Sequence, residues 1–144
     1  NCTSANNGYD GFYEQDTQAN ATNCIAFGNS NYGFSERVIT DYCNAFDNTV
    51  GNYEDSKGLG SISGDPKFVE GRLGDYYLGY SSPCVDSGSA QSTALDLYNG
   101  LTTRTDEKWD KGTVDMGFHY ASNRGPTGSI PIMKILEILK KNKN

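Results

Sequence analysis

Apolar and polar positions recur together in the first part of the chain, at a spacing near 20 residues. Shifting the sequence by 22 residues places Asn1-Cys2 on Asn23-Cys24 and Gly11-Phe12 on Gly33-Phe34 without a gap. At a spacing of 19 residues, a third copy repeats Cys24-x-Ala26-Phe27-x-Asn29 as Cys43-x-Ala45-Phe46-x-Asn48. A repeat this short without a leucine ladder favours β-helix coils over helix-pair arrays or propeller blades.

Equivalent residues of stacked coils lie about one strand spacing apart and form ladders along the axis. We therefore predict an inward ladder of buried thiols and a ladder of amides at a bend, with Phe12 and Phe34 filling the interior. The predicted thiol ladder is Cys2, Cys24 and Cys43, and the predicted amide ladder is Asn7, Asn29 and Asn48. Disulfides or metal ligation are the alternatives for the cysteines, although parallel side chains and the lack of a Cys-x-x-Cys motif speak against both.

The sequence pattern changes after about Gly64, where residues typical of turns alternate with short apolar segments typical of strands. The motifs are Gly64-Asp65-Pro66-Lys67-Phe68-Val69, Gly74-Asp75-Tyr76-Tyr77-Leu78, Ser82-Pro83-Cys84-Val85-Asp86-Ser87-Gly88 and Val114-Asp115-Met116-Gly117. Their order and spacing resemble the C-terminal end of secreted right-handed parallel β-helix repeat proteins of the pectate-lyase-like superfamily, including the choice-of-anchor Q type. That resemblance implies an extracellular or cell-surface setting and a fold more firmly than an activity.

The predicted fold is therefore an all-β, right-handed, single-stranded parallel β-helix, a solenoid with an irregular closing region and a short C-terminal amphipathic helix. Residues 1–64 are predicted as β-helix coils and residues 65–120 as closing coils with a loop-rich cap of the same domain. A linker is predicted at 121–129 and the helix at 130–144. The 144 residues suffice for one domain, and 17 glycines with 10 tyrosines favour short strands and tight turns.

Charge and hydropathy speak against a nucleic-acid partner and against a membrane-spanning segment. The net charge is −6; four lysines and one glutamate give residues 130–144 a charge of +3, so residues 1–129 carry −9. An acidic body repels nucleic acid and anionic lipid, so no nucleic-acid partner is expected. The sequence has no apolar run long enough to span a membrane.

The aspartates beside the later turns are expected to fix bends by accepting backbone N–H bonds, and calcium is the alternative. The calcium candidates are Asp65, Asp75, Asp86 and Asp115. No metal site or other cofactor is predicted beyond that alternative, because the linear calcium-loop motif is absent. No catalytic residue is predicted either, since paired carboxylates at one coil position are missing and His119 is expected to be structural.

Exposed aromatic rings offer flat faces for sugar stacking, although they also serve as packing. The candidates for carbohydrate contact are Tyr76, Tyr77 and Trp109, which lie in a part of the sequence predicted to be rich in loops. In the predicted tail helix Ile132, Ile135, Leu136 and Leu139 share one face. Because so short a helix is marginal alone, it is predicted to dock on the open end of the solenoid, a neighbouring subunit or a membrane surface.

These features predict a non-catalytic extracellular or cell-surface module with a structural or adhesive role that contacts glycans or partner proteins. One alternative is a self-assembling fibre or sheath subunit that stacks through the ends of the β-helix. Another is a fragment of a polysaccharide lyase or glycoside hydrolase whose active coils lie elsewhere. The exposed strand edge of the first coil is predicted to be covered by missing upstream coils, the tail helix or a neighbouring subunit.

Overall fold

The computed structural model describes residues 1–124, which form a small β-rich domain of short strands without an α-helix in that range. The strands are β1 (Thr3–Ala5), β2 (Ala19–Thr22), β3 (Ile25–Phe27), β4 (Tyr32–Phe34), β5 (Val38–Asp41), β6 (Asn44–Phe46), β7 (Gly51–Tyr53), β8 (Phe68–Gly71), β9 (Gly74–Leu78), β10 (Leu101–Thr102) and β11 (Tyr120–Ala121). A single 3-10 turn spans Ser92–Leu95. The predicted helix at 130–144, with its apolar face, lies outside the described residues, as does most of the predicted linker.

The first seven strands form three small parallel sheets whose neighbours come from successive sequence repeats. The sheets have the strand orders β1-β3-β6, β2-β5 and β4-β7. Thr3 is paired with Ile25, 22 residues later, and Ile25 is paired with Asn44, 19 residues later. The offsets of the sequence repeat are thus the offsets of strand pairing, because residues in equivalent positions of parallel neighbours meet the same environment.

The prediction of a right-handed single-stranded parallel β-helix is wrong. No sheet among residues 1–124 contains more than three strands, and none closes or runs through the molecule as a solenoid. The repeat fades after Tyr53, and its parallel pairing ends in an isolated bridge between Asn44 and Ile62. Beyond it, β8 and β9 form an antiparallel pair around a turn between Gly71 and Gly74, and β10 pairs antiparallel with β11. A hairpin reverses the chain and cannot continue a parallel stack.

Two apolar clusters lie on opposite faces of the β1-β3-β6 sheet because successive strand residues point to opposite sides. One face contributes Ala26 and Ala45 to a cluster inside the repeats, together with Cys24 and Phe34. The other face contributes Ile25 to a second cluster. The further members of that cluster are Leu78, Cys84 and Met116 from the later half of the chain.

The later half is fixed to the repeats by hydrogen bonds to Asn23. Gly117 N–H donates to the Asn23 carbonyl over 2.8 Å, and Ser89 N–H donates to Asn23 Oδ1 over 2.7 Å. A Cβ on Gly117 would lie 2.7 Å from Ile25 Cδ1, and Gly117 has a φ of +95°. Glycine is therefore required there both for its positive φ and for the close approach to the sheet.

Candidate interaction surface at the edge of the first repeat

Three asparagines of successive repeats form a hydrogen-bonded row at the bend after the first sheet. Asn7 donates to Asn29 Oδ1 through its backbone N–H (3.1 Å) and its Nδ2 (2.8 Å). Asn29 donates in the same way to Asn48 Oδ1, over 3.0 and 2.8 Å. Asn48 Nδ2 donates to Asn52 Oδ1 over 3.0 Å, so the row ends within the chain on that side. The amide oxygens of Asn29 and Asn48 thus each accept from the repeat that precedes them.

A stack of aromatic rings follows the asparagine row. The Phe12 and Phe34 ring centroids are 4.8 Å apart with an interplanar angle of 5°, and the Phe34 and Tyr53 centroids are 5.3 Å apart at 10°. The Tyr53 hydroxyl donates to the Cys43 and Ile62 carbonyls at 3.0 and 2.7 Å, and burial raises its pKa. This stack is closed by polar contacts at Tyr53 but leaves Phe12 half-buried at the other end.

The cysteines of the three repeats are free thiols whose exposure falls along the row. Cys2 is exposed, Cys24 is 5% exposed and Cys43 is fully buried. A hydrogen bond between the two buried thiols lowers the pKa of Cys24 to about 6 and raises the pKa of Cys43, because their shared proton favours ionisation of only one sulfur. The Cys43 thiol also contacts the Ala21 carbonyl at 3.2 Å. The first repeat therefore presents a thiol to solvent where the later repeats bury theirs.

The outer edge of β1 has no partner strand among residues 1–124. Toward β3, Ile25 N–H donates to the Cys2 carbonyl (2.8 Å) and Asn6 N–H donates to the Phe27 carbonyl (2.9 Å). In a parallel ladder of this register the backbone groups of Ser4 also face β3. The N–H and C=O groups of Thr3 and Ala5 then point away from the sheet, so this edge can accept another strand.

We call the outer edge of β1, Asn7 and the exposed side of Phe12 the first-repeat edge. It combines unpaired backbone groups, a side-chain amide and an aromatic ring on one end of the repeats. Within the described part of the chain no donor contacts Asn7 Oδ1, although the Asn29 and Asn48 oxygens each accept from a preceding residue. The first-repeat edge is therefore the half of a repeat interface whose other half is not among residues 1–124.

The residues predicted for carbohydrate contact lie in different environments. Tyr77 is fully buried and stacked on Tyr120 with centroids 4.0 Å apart, so its ring is not open to a sugar. The half-buried Tyr76 packs edge-on against Phe68 at 5.2 Å. Trp109 is half-buried and donates through Nε1 to the Arg124 carbonyl over 2.8 Å. The structure does not bring these rings together in one platform.

The aspartates predicted as turn residues or calcium ligands are also separate. Asp65 Oδ1 accepts the Lys67 N–H over 2.8 Å, which fixes the turn before β8. Asp75 and Asp86 are exposed, whereas Asp115 is buried and accepts the Asp86 N–H over 2.7 Å. Among residues 1–124 no three carboxylate, thiol or imidazole side chains converge as a metal site.

Sequence reasoning missed a buried polar network around His119. Its Nε2 lies 2.7 Å from Asp110 Oδ2 and its Nδ1 lies 3.1 Å from the Gly117 carbonyl, so both ring nitrogens face acceptors. The same Asp110 oxygen accepts the Asp115 N–H over 3.0 Å, and Asp115 accepts the Thr103 hydroxyl. Burial raises the pKa of Asp115, although these hydrogen bonds oppose the shift. The side chains of His119 and Asp110 are only 3% and 2% exposed. The pair therefore holds segment 110–119 in place and is not accessible to a substrate.

A shallow cleft that sequence reasoning also missed lies beside Tyr80. It has a volume of about 90 Å³, and the Tyr80 ring in its wall is 86% exposed with the Arg104 guanidinium 5.1 Å from its centroid. Arg104 Nη2 also pairs with Asp106 over 2.9 Å. Burial raises the pKa of Asp106, but hydrogen bonds from Lys108 N–H and Arg104, with their charges, outweigh it and hold the pKa below its usual value.

Comparisons with models of protein families, with curated proteins and with solved structures found no match. The resemblance to secreted β-helix repeat proteins accordingly stays a prediction. No helix among residues 1–124 is both long and apolar enough to cross a membrane.

Proposed function

We propose that this chain is a non-catalytic structural module that binds a protein segment by strand addition at the first-repeat edge. The observation that carries the proposal is the outer edge of β1, where Thr3 and Ala5 present backbone groups with no partner strand in the described range. An unpaired strand edge is a template for another strand, and main-chain hydrogen bonds supply much of the affinity in such complexes.

The composition of the first-repeat edge supports a protein partner. Cys2 is exposed, Phe12 is half-buried, and the strand residues Thr3, Ser4 and Ala5 carry no charge. Water leaves such a surface at lower cost than it leaves a charged one. An extracellular or cell-surface adhesive role agrees with the motif resemblance at residues 64–117 and with the acidic net charge of −6.

A proline at Ala5 tests strand addition. Ala5→Pro removes an N–H that points away from β3, so it blocks an added strand and leaves the β1–β3 hydrogen bonds in place. Ala5→Val is the matched control because it keeps the N–H and suits a strand. We expect the full-length chain to self-associate at high concentration in sedimentation velocity, since no other polypeptide is present in the buffer, and we expect only Ala5→Pro to weaken that association.

The melting temperatures of both variants show whether the fold survives the substitutions. Association that is equal in the wild type and Ala5→Pro, with both folded, would contradict a binding role for this edge. A chain that stays monomeric at all concentrations, with the Thr3 and Ala5 amides protected from hydrogen exchange, would show that the edge is already covered and would also contradict the proposal.

A second proposed role is glycan contact at the Tyr80 cleft. The supporting observation is the 86% exposed ring, which Arg104 holds from one side at 5.1 Å. A sugar ring can stack on the free face while the guanidinium donates to hydroxyl groups. Tyr80→Ala should abolish binding on a glycan array, whereas Tyr98→Ala, at a 39% exposed ring outside the cleft, should leave it unchanged. Equal binding by both variants would exclude the cleft.

A further inference from the structure

We infer that the segment bound at the first-repeat edge runs parallel to β1 and carries the same repeat pattern as this chain. The inference rests on the proposed function and adds the sequence that the edge selects. Its basis is the asparagine row, which has a direction and is incomplete at Asn7 in the described part of the chain.

The backbone part of the interface follows from the pairing already present. In β3, the groups that face β1 belong to Ile25 and Phe27, which occupy the positions of Thr3 and Ala5 in β1. A parallel segment placed on β1 as β1 lies on β3 would therefore donate to and accept from both Thr3 and Ala5. It would extend the three-stranded sheet by one strand.

The amide oxygen of Asn7 selects what the added segment carries. Asn29 Oδ1 accepts two N–H groups of Asn7, at 3.1 and 2.8 Å, and Asn48 Oδ1 accepts two of Asn29, at 3.0 and 2.8 Å. Asn7 holds the equivalent position in the first repeat, and no donor among the described residues contacts its Oδ1. An asparagine there would supply the backbone N–H and the Nδ2 that continue the row.

Constant spacings extend this preference to a longer motif. Each asparagine of the row lies five residues after a repeat cysteine and five residues before a stacked aromatic ring. The sets are Cys2, Asn7 and Phe12; Cys24, Asn29 and Phe34; and Cys43, Asn48 and Tyr53. The ring on the exposed side of Phe12 would continue a stack whose centroids are 4.8 and 5.3 Å apart. The partner motif is thus a small apolar residue, an asparagine at position +5 and an aromatic residue at position +10.

A second copy of the same edge fits less well than this parallel segment. Two β1 strands related by a two-fold axis would pair antiparallel, with Thr3 opposite Ala5 of the other copy. In that register Asn7 lies opposite Asn1 of the other copy, so the row of equivalent asparagines is not continued. Such a dimer satisfies the strand edge but leaves the ladder position of Asn7 Oδ1 unused.

Fluorescence anisotropy with a labelled synthetic peptide tests the inference on the full-length chain. The probe has the sequence of residues 23–34, which contains the motif, and is measured under reducing conditions. A matched peptide carries Asn29→Ala, and a third has the same composition in scrambled order. We expect saturable binding of the probe, binding of the Asn29→Ala peptide weakened about fivefold or more by the lost Nδ2 hydrogen bond, and no binding of the scrambled peptide. Ala5→Pro in the chain should weaken binding of the probe, and Ala5→Val should not.

The outcomes separate this inference from the proposed function. Equal binding of the probe and the Asn29→Ala peptide, both weakened by Ala5→Pro, would overturn the asparagine selection and leave strand addition in place. Self-association that Ala5→Pro weakens but that excess probe cannot compete would show a second copy as the occupant and also overturn the inference. If the probe does not bind and Ala5→Pro changes nothing, both ideas are wrong.

Discussion

Replacing Asn29 with alanine should destabilise the repeats by about 3 kcal/mol. Asn29 is fully buried, and its side chain accepts from Asn7 N–H and Nδ2 (3.1 and 2.8 Å) and donates to Asn48 Oδ1 (2.8 Å). Each such bond contributes about 1 kcal/mol net, and the partly buried Asn7 N–H loses its acceptor. For a domain of this size, about 3 kcal/mol corresponds to a fall of roughly 10 °C in melting temperature.

Thermal and urea unfolding, followed by circular dichroism, measure this loss. Asn123→Ala is the matched control, because Asn123 is exposed and its backbone N–H donates to Glu107 over 2.7 Å. That control should shift stability by less than about 0.5 kcal/mol. The loss of stability for Asn7→Ala should lie between those for Asn29→Ala and Asn123→Ala, since Asn7 is exposed and its amide nitrogen contacts only Ser4 and Asn29 among the described residues. Equal melting shifts for Asn29→Ala and Asn123→Ala would refute the role assigned to the asparagine row.

Two further predictions concern thiols and pH. In the native chain only Cys2 should react rapidly with a thiol reagent. Cys24 is only 5% exposed, so burial blocks it despite its lowered pKa, and Cys43 and Cys84 are fully buried, with the pKa of Cys84 raised to about 12 by burial. More than one fast thiol before unfolding would contradict this burial. Since the raised pKa of Asp115 makes the folded state bind its proton more tightly, its contribution favours folding at low pH and is lost as the pH rises through that pKa. Urea midpoints at about pH 4 and 7 should therefore show Asp115→Asn gaining stability relative to the wild type as the pH rises, and an unchanged or opposite difference would count against a raised pKa.

The local strand pairing could be predicted from the sequence, whereas the fold as a whole could not. Equivalent positions of parallel neighbours have the same surroundings, so the 22- and 19-residue offsets contain the pairing register. These offsets do not predict how many strands each sheet contains. Gly71 and Gly74 lie at the two ends of a hairpin turn, so β8 and β9 are antiparallel. The resemblance to the closing coils of a parallel β-helix implies parallel strands there instead.

The burial and contacts of the candidate site residues could not be predicted from the sequence. Tyr76 and Tyr77 are adjacent in β9 and point to opposite sides, and Tyr77 is the buried ring because Tyr120 stacks on it and Gly71 leaves room beside it. Asp110 and His119 are nine residues apart and are in contact because segment 110–119 folds back on itself. Neither residue belongs to a periodic pattern, so no spacing signal predicts their contact.

The two ends of the repeats differ in a way that favours a binding role for the first. At the far end Asn48 is satisfied by Asn52, and Asn44 is satisfied by Gly64, whose carbonyl accepts from Nδ2 over 2.8 Å and whose N–H donates to Oδ1 over 2.9 Å. Proteins that keep an edge strand free of partners usually place lysine, proline or a bulge on it. β1 consists of Thr-Ser-Ala and has none of these features. Because residues 1–124 close one end of the repeats with specific contacts and place no charge, proline or bulge on β1 at the other end, strand addition explains the first-repeat edge better than exposure to solvent does.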